Sequence, residues 1–171
     1  GIRIRTSSFT RHHGHASLSK AKTNGNYVNS MMALQEALNE GYDEALMLDI
    51  KGFASEGSGE NIFIVSDNTI YTPDLSSALP GITRDTIFTL AQAIGYEIVE
   101  KNISCDDIYN ADEAFFTGTA AEVTPIRELD DRKIGRGTRG PVTEKLQSLY
   151  FDCVHGRNNE YKDWIANGRC A

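Results

Sequence analysis

Two carboxylates and an amide share one stretch of small residues, Ser55-Glu56-Gly57-Ser58-Gly59-Glu60-Asn61. Glycine lets a ligand approach the backbone closely, so acids packed this densely are placed to face something cationic. A solvated loop with incidental acids reads the same residues without chemistry. Upstream, Lys22 follows small polar and basic residues (Ser17, Ser19, Lys20) and precedes an Asn24-Gly25-Asn26 turn. Taken alone it reads as an ordinary exposed lysine. Downstream, Leu79-Pro80-Gly81-Ile82-Thr83-Arg84 places a Pro-Gly turn before a helix start. Unpaired backbone N–H groups and the positive dipole end make such a start a phosphate site. A plain turn with a threonine cap accounts for it equally. Thr117-Gly118-Thr119-Ala120-Ala121-Glu122 offers hydroxyls and small residues in a tight β-connection. Arg11-His12-His13-Gly14-His15 invites a metal reading, but no carboxylate or cysteine lies nearby. Strand alternation would scatter its rings to opposite faces, whereas a metal needs convergent ligands. A polar strand end leading to Lys22 is the better reading, and the sequence shows no metal set.

The elements that would position these groups follow from periodicity. An alternating strand opens the chain at Gly1-Ile2-Arg3-Ile4-Arg5-Thr6-Ser7-Ser8-Phe9. A helix after Asn26 presents Tyr27, Met31, Leu34 and Leu38 as its buried stripe and stops at Gly41. Strands at 44–49 and 62–65 flank the acidic stretch, and a short strand covers 69–72. A helix from about Ile82 buries Ile87, Leu90, Ala91 and Ile94 and ends at Gly95. A strand at 96–100, a helical turn at 105–109, a buried strand at 114–117 and a strand from Val123 into an Asp-Asp turn follow. Pro141 opens a last helix with Val142, Leu146, Leu149 and Tyr150 on one face. The tail from Asn158 to Ala171 is polar apart from Tyr161, Trp164 and Ile165, and is expected to be docked or frayed.

Composition narrows the class. The 171 residues, 40% hydrophobic and 24% charged, suit one globular domain or part of a larger one. A net charge of −7 argues against a nucleic-acid surface. No apolar run is long enough for a bilayer, and residues 1–20 lack the apolar core of a signal peptide. The three cysteines, Cys105, Cys153 and Cys170, are odd in number and not at metal-ligand spacing, so they read as reduced thiols of a cytoplasmic protein.

The four motifs, in this order, resemble the branched-chain amino-acid aminotransferases, fold-type IV enzymes that use pyridoxal 5′-phosphate (PLP). The resemblance runs from near residue 1 to about Trp164. It implies an α/β (α+β) fold, a mixed barrel-like sheet surrounded by helices. It makes Lys22 the lysine that binds the cofactor covalently and then acts as the base that moves the substrate proton. Neighbouring cations and desolvation would tune that amine. Tyr27 matches the tyrosine on the cofactor phenolic oxygen, and its hydroxyl and its packing role are compatible. Glu56 matches the glutamate paired with the pyridine nitrogen. Glu60 and Asn61 would orient Glu56 or the ring. Leu79 would pack on one ring face. The Ile82 and Thr83 amides, with the Thr83 and Thr119 hydroxyls, would hold the phosphate. The backbone of Thr119 and Ala120 would hold the substrate carboxylate.

The implied reaction moves the amino group of leucine, isoleucine or valine to 2-oxoglutarate, in the synthesis or breakdown of these amino acids. A D-amino-acid aminotransferase and an aminodeoxychorismate lyase share the fold and the lysine. A non-catalytic fragment that binds only PLP or a partner domain is the reading from another class. In the family a small N-terminal domain supplies an arginine for the phosphate and much of the apolar substrate pocket, partly across a dimer interface. These residues are therefore expected to be the larger, cofactor-holding C-terminal domain of a homodimer or higher homo-oligomer. Alone they are expected to be weakly active or inactive.

Overall fold

The computed structural model describes residues 1–13, 18 and 20–166. The sequence readings that rest on His15, Ser17, Ser19 and Cys170 lie outside the described residues. Strands β1 (Ile2–Thr6), β2 (Glu44–Leu48), β3 (Ala54–Gly57), β4 (Asn61–Ser66), β5 (Thr69–Thr72), β6 (Ile98–Glu100), β7 (Glu113–Gly118), β8 (Glu122–Leu129) and β9 (Arg132–Lys133) form one sheet. Its order is β3-β2-β1-β8-β7-β4-β5-β6, with β9 on β8. The pairs β1–β2, β1–β8 and β5–β6 are parallel and the others antiparallel, so the sheet is mixed. Helix α1 (Asn24–Asn39) connects the parallel strands β1 and β2, and α2 (Ile82–Ala93) connects β5 and β6. The two ends of the strand order approach each other, since the Ala54 amide on β3 donates to the Ile103 carbonyl just beyond β6, at 2.7 Å. The sheet therefore curls into a half-barrel.

Alternation along the strands divides the apolar side chains between the two sides of this curl. Inside, Ile4, Leu46, Ile62, Ile64, Ile103, Phe116, Ile126 and Leu129 form one cluster, joined by Ile108 from α3 (Cys105–Tyr109). Outside, α2 and α4 (Pro141–Val154) cover Phe63, Val65, Ile70, Phe115 and Val123 with Ile87, Leu90, Leu146 and Tyr150. Phe63 and Phe115 stack there with centroids 5.1 Å apart. Tyr161 and Trp164 pack against this outer layer, so that part of the tail is docked.

Helix α1 departs from the expected stripe. Its buried residues are Asn26, Ser30, Ala33 and Ala37, whereas Met31 and Leu38 are 59% and 48% exposed. Small side chains let the helix lie close to Ala45 and Met47 of β2, which turns the long apolar ones outward. The helix also starts earlier than expected, so Asn24-Gly25-Asn26 is its first turn and not a separate one. Strand β1 stops at Thr6, and residues 7–13 run on irregularly beside β2, tied by Ser7 N to Leu46 O and Arg11 N to Leu48 O at 2.9 and 2.8 Å.

Helix α4 has only a glycine, Gly140, at its N-cap. Its start is capped from the sheet instead: the Glu113 carboxylate on β7 accepts from the Val142 and Thr143 amides at 2.9 and 2.7 Å. A Cβ on Gly140 would lie 2.1 Å from that carboxyl carbon, so a side chain there would displace the cap. Charge-assisted bonds at a helix N-terminus are the strong kind. Glu113→Ala is expected to cost roughly 1.5–3 kcal/mol, measurable as a lower urea midpoint at unchanged slope.

Candidate functional site

One cavity of about 220 Å³ lies where β3, the start of β4, the end of β7 and the N-terminal ends of α1 and α2 meet. Its walls include Lys22, Tyr27, Glu56, Glu60, Asn61, Leu79, Ile82, Thr83 and Thr119. The structure thus brings together every residue the sequence reading assigned to a cofactor. Ala120 does not line the cavity; it is exposed in the turn beside Thr119. Arg11, Asn26, Ser30, Ser58, Gly81 and Thr117 are also in the wall without having been singled out for it.

Glu56 is held from both sides. The residue sits on a strand, β3, because only residues 58–60 form the turn within the acidic stretch. It is 6% exposed. Its Oε1 accepts from Arg11 Nη2 at 2.7 Å and its Oε2 from the Leu79 amide at 2.9 Å. Asn61 Nδ2 donates to the Leu79 carbonyl at 2.9 Å. Glu56 and Asn61 therefore clamp the two ends of one residue, which fixes the turn into α2. Asn61 acts on that turn and reaches Glu56 through Leu79.

The turn leads directly to the N-terminus of α2. First-turn N–H groups of a helix have no intrahelical partner, and Gly81, Ile82 and Thr83 at the start of α2 all line the cavity. A Cβ at Gly81 would lie 2.3 Å from Asn61 Oδ1, so glycine there allows the turn to close on β4. The Thr119 side of the cavity belongs to the β7–β8 turn.

Lys22 lies two residues before α1 and is exposed. The desolvation expected of it is thus not supplied by this chain's own packing. Its approach is fixed by Asn26, whose Nδ2 donates to the carbonyls of Leu18 and Ala21 at 3.0 and 2.9 Å. Asparagine spaced with Ala33 and Ala37 on one helical face was the sequence signal that this face is buried and that Asn26 works inward.

Burial raises the two acids of the cavity wall and Glu44 behind them. Burial pushes the Glu60 carboxyl up to about 7, helped by nearby Glu44 and opposed by the Gly59 amide. Burial also raises Glu56, against the pull of Arg11 and the Leu79 amide. Glu44 is raised by burial too. A carboxyl raised in the fold is penalised once the unfolded chain ionises, so its cost is absent below about 4.5, grows with pH, and is complete above about 7. Glu60→Gln removes that cost. The variant is expected to match the unmutated protein at pH 4 and to gain on the order of 2 kcal/mol by pH 8, after discounting for partial exposure. Urea melts across that range check it; a gap that is constant with pH contradicts it.

Two buried polar atoms in wall residues, Arg11 Nε and Thr117 Oγ1, have no hydrogen-bond partner in the structure. Such atoms are uncommon in folded proteins and point to a further partner. Among the described residues no cluster of His, Cys, Asp and Glu is arranged to hold a metal ion. Among them, too, no helix is long and apolar enough to cross a membrane.

Comparison with known proteins identifies relatives of this arrangement. Residues 2–129 match the family described as amino-transferase class IV. The chain is 63% identical over 164 residues to a branched-chain-amino-acid aminotransferase of Pseudomonas aeruginosa, covering 96% of this chain and 53% of that protein. It is 47% identical over 167 residues to a probable branched-chain-amino-acid aminotransferase of Aquifex aeolicus, covering 96% and 54%. Among solved structures, the branched-chain aminotransferase of Thermoproteus uzoniensis with norvaline superposes with a TM-score of 0.93 at 45% identity, over 96% of this chain and 55% of that one. The branched-chain amino acid aminotransferase of Thermobaculum terrenum in its PLP form also gives 0.93, at 38% identity, over 96% and 54%. The chain thus spans about half the length of the curated relatives it matches.

Proposed function

This chain belongs to the class IV amino-transferases, and from that footing we propose that it is the cofactor-holding part of a PLP enzyme that transfers the amino group of leucine, isoleucine or valine to 2-oxoglutarate. The observation that carries this is the convergence of an amine, a buried carboxylate and a helix N-terminus, Lys22, Glu56 and the Ile82–Thr83 turn, on one cavity. The relative in its PLP form supports the cofactor, and the one with norvaline supports an aliphatic amino-acid substrate. The names of the curated relatives favour the branched-chain group among such substrates.

The residues fit the cofactor. The start of α2 offers amides and a hydroxyl for a phosphate, and the orphaned Thr117 and Arg11 atoms leave polar capacity in the wall. When bound, PLP supplies an aldehyde that condenses with amines and a ring that withdraws electrons from the substrate α-carbon. Ile82, Thr83 and Thr119 would hold its phosphate, Tyr27 its phenolic oxygen, Leu79 one ring face and Glu56 its ring nitrogen. Lys22 Nζ would provide the amine for the cofactor aldehyde and the base for the substrate α-proton. Glu56, fixed at both oxygens, presents its remaining lone pairs without needing to reorganise. Thr119 and Ala120 at the β7–β8 turn would receive the substrate carboxylate on backbone amides. The apolar pocket for the side chain, and an arginine for the phosphate, would come from an N-terminal domain of the same enzyme, working as a homo-oligomer in the cytoplasm.

The test is a paired-substrate assay with PLP on the enzyme in which this chain is joined to that N-terminal domain. L-leucine and 2-oxoglutarate are expected to give equal amounts of 4-methyl-2-oxopentanoate and glutamate, with ping-pong kinetics. A clear preference for D-alanine would move the chain to the D-amino-acid branch of the family. PLP uptake with no turnover of any amino acid would leave a cofactor-binding role only.

A further inference from the structure

Arg11 is absent from every role assigned so far, yet it is among the most constrained side chains of the cavity wall. It is 5% exposed. Its backbone amide bonds Leu48 O on β2, its Nη1 donates to Ser30 Oγ on α1 at 3.2 Å, and its Nη2 meets Glu56 Oε1 at 2.7 Å. A buried ion pair is poor value for stability alone, because desolvating both charges offsets most of their attraction and an apolar pair of similar volume often does as well. This pair lies in the wall of the cavity that Lys22 also lines.

We propose that Arg11 is a positioning residue, which holds Glu56 as an ionised carboxylate aimed at the cavity and so lets Glu56 grip a protonated ring nitrogen. The proposal rests on the cofactor reading for its purpose, but its geometry stands without it. Each carboxylate oxygen has two acceptor sites. Arg11 occupies one on Oε1 and the Leu79 amide one on Oε2, so the carboxylate is fixed in rotation and still has capacity for a third donor. Burial disfavours an ionised Glu56. Beside burial, Glu44 and Glu56 in turn raise Glu60 on the β3–β4 turn. Lys20, Lys22 and Tyr27 line the same cavity from the segment before α1 and from α1 itself. Arg11 is the cation bonded to Glu56, and it opposes the effect of burial there. Ser30 in turn holds the guanidinium, which gives this polar residue its place on the buried face of α1.

The experiment follows the Glu56 carboxyl by carbon-13 NMR in the ligand-free purified protein labelled at glutamate, with the signal assigned by its loss in Glu56→Gln. In Arg11→Met the titration midpoint of Glu56 is expected to rise by at least one pH unit, a tenfold loss of the ionised form at a given pH. In Arg11→Lys, which keeps a cation, it is expected to stay within about half a unit. An unmoved midpoint in Arg11→Met, with stability alone reduced, overturns the proposal. Ser30→Ala, a milder change that loosens Arg11, is expected to raise the midpoint by a few tenths of a unit. No rise there overturns the proposal even if Arg11→Met does not fold. With PLP added, Arg11→Met is expected to weaken cofactor affinity about tenfold and to have little effect in a Glu56→Gln background. Equal losses in both backgrounds contradict action through Glu56. If the unmutated protein takes up no PLP, the cofactor reading falls, while the carboxyl titration still decides the role of Arg11.

Discussion

Lys22→Ala is expected to lower leucine transamination by about four orders of magnitude while leaving stability within about 0.5 kcal/mol. The loss combines a missing covalent anchor with a missing proton carrier, and a positioned acid–base group alone contributes roughly 10²–10⁴-fold. Stability should hold because Lys22 is exposed and precedes α1, and surface substitutions away from packing or capping features usually change little. The bonds that shape its segment come from Asn26 to the carbonyls of Leu18 and Ala21, which the variant keeps. Steady-state rates with added PLP on the enzyme that carries the N-terminal domain, alongside urea melts of this chain, measure both halves. A loss below tenfold would remove Lys22 from the chemistry, and a large loss of stability would make the rate uninterpretable as chemistry.

Glu56→Gln is expected to slow turnover by roughly 10²–10³, the scale of losing one preorganised electrostatic partner in an enclosed site. A neutral amide cannot hold a proton on the ring nitrogen as a carboxylate does. The variant also has a structural cost with a definite source. Glutamine keeps one oxygen, which can face Arg11 or the Leu79 amide but not hold both as the carboxylate does. Breaking a buried ion pair outright costs about 3–5 kcal/mol, and the retained amide oxygen should reduce that to part of the range. The expected pattern is therefore a lower melting temperature, retained cofactor binding at saturating PLP and slow chemistry in single-turnover spectra. Unchanged turnover would take the pyridine-nitrogen role away from Glu56.

The ordered set of four motifs and the family it resembles led to most of this site, each local signal being ambiguous alone, and long-range contacts were hidden. The Pro80-Gly81 turn with Thr83 marks the start of α2, and the helix does begin at Ile82. The small-residue stretch around Glu56 does bring Glu56, Glu60 and Asn61 to one cavity. The curl of the sheet brings Ala54 and Ile103 at its two ends into one hydrogen bond, which no pattern in either segment reveals by itself. Arg11 was read as part of a polar run because nothing beside it in sequence marks a partner on β3. On α1 the apolar repeat of Tyr27, Met31, Leu34 and Leu38 outweighed the quieter repeat of Asn26, Ser30, Ala33 and Ala37. Periodicity weighs side chains by hydrophobicity, whereas close packing on β2 selected them by size. The two polar members of the buried face are those that serve the site, Asn26 toward the Lys22 segment and Ser30 toward Arg11.

The most direct test of Lys22 as the anchor is borohydride reduction of the PLP-loaded protein followed by peptide mapping. Reduction fixes a lysine–cofactor linkage as a stable secondary amine, so the attachment point is read by mass without any turnover. A phosphopyridoxyl label on the peptide containing Lys22, absent after Lys22→Ala, is the expected result. A label on Lys20 or on another lysine, or none under saturating PLP, would contradict the assignment.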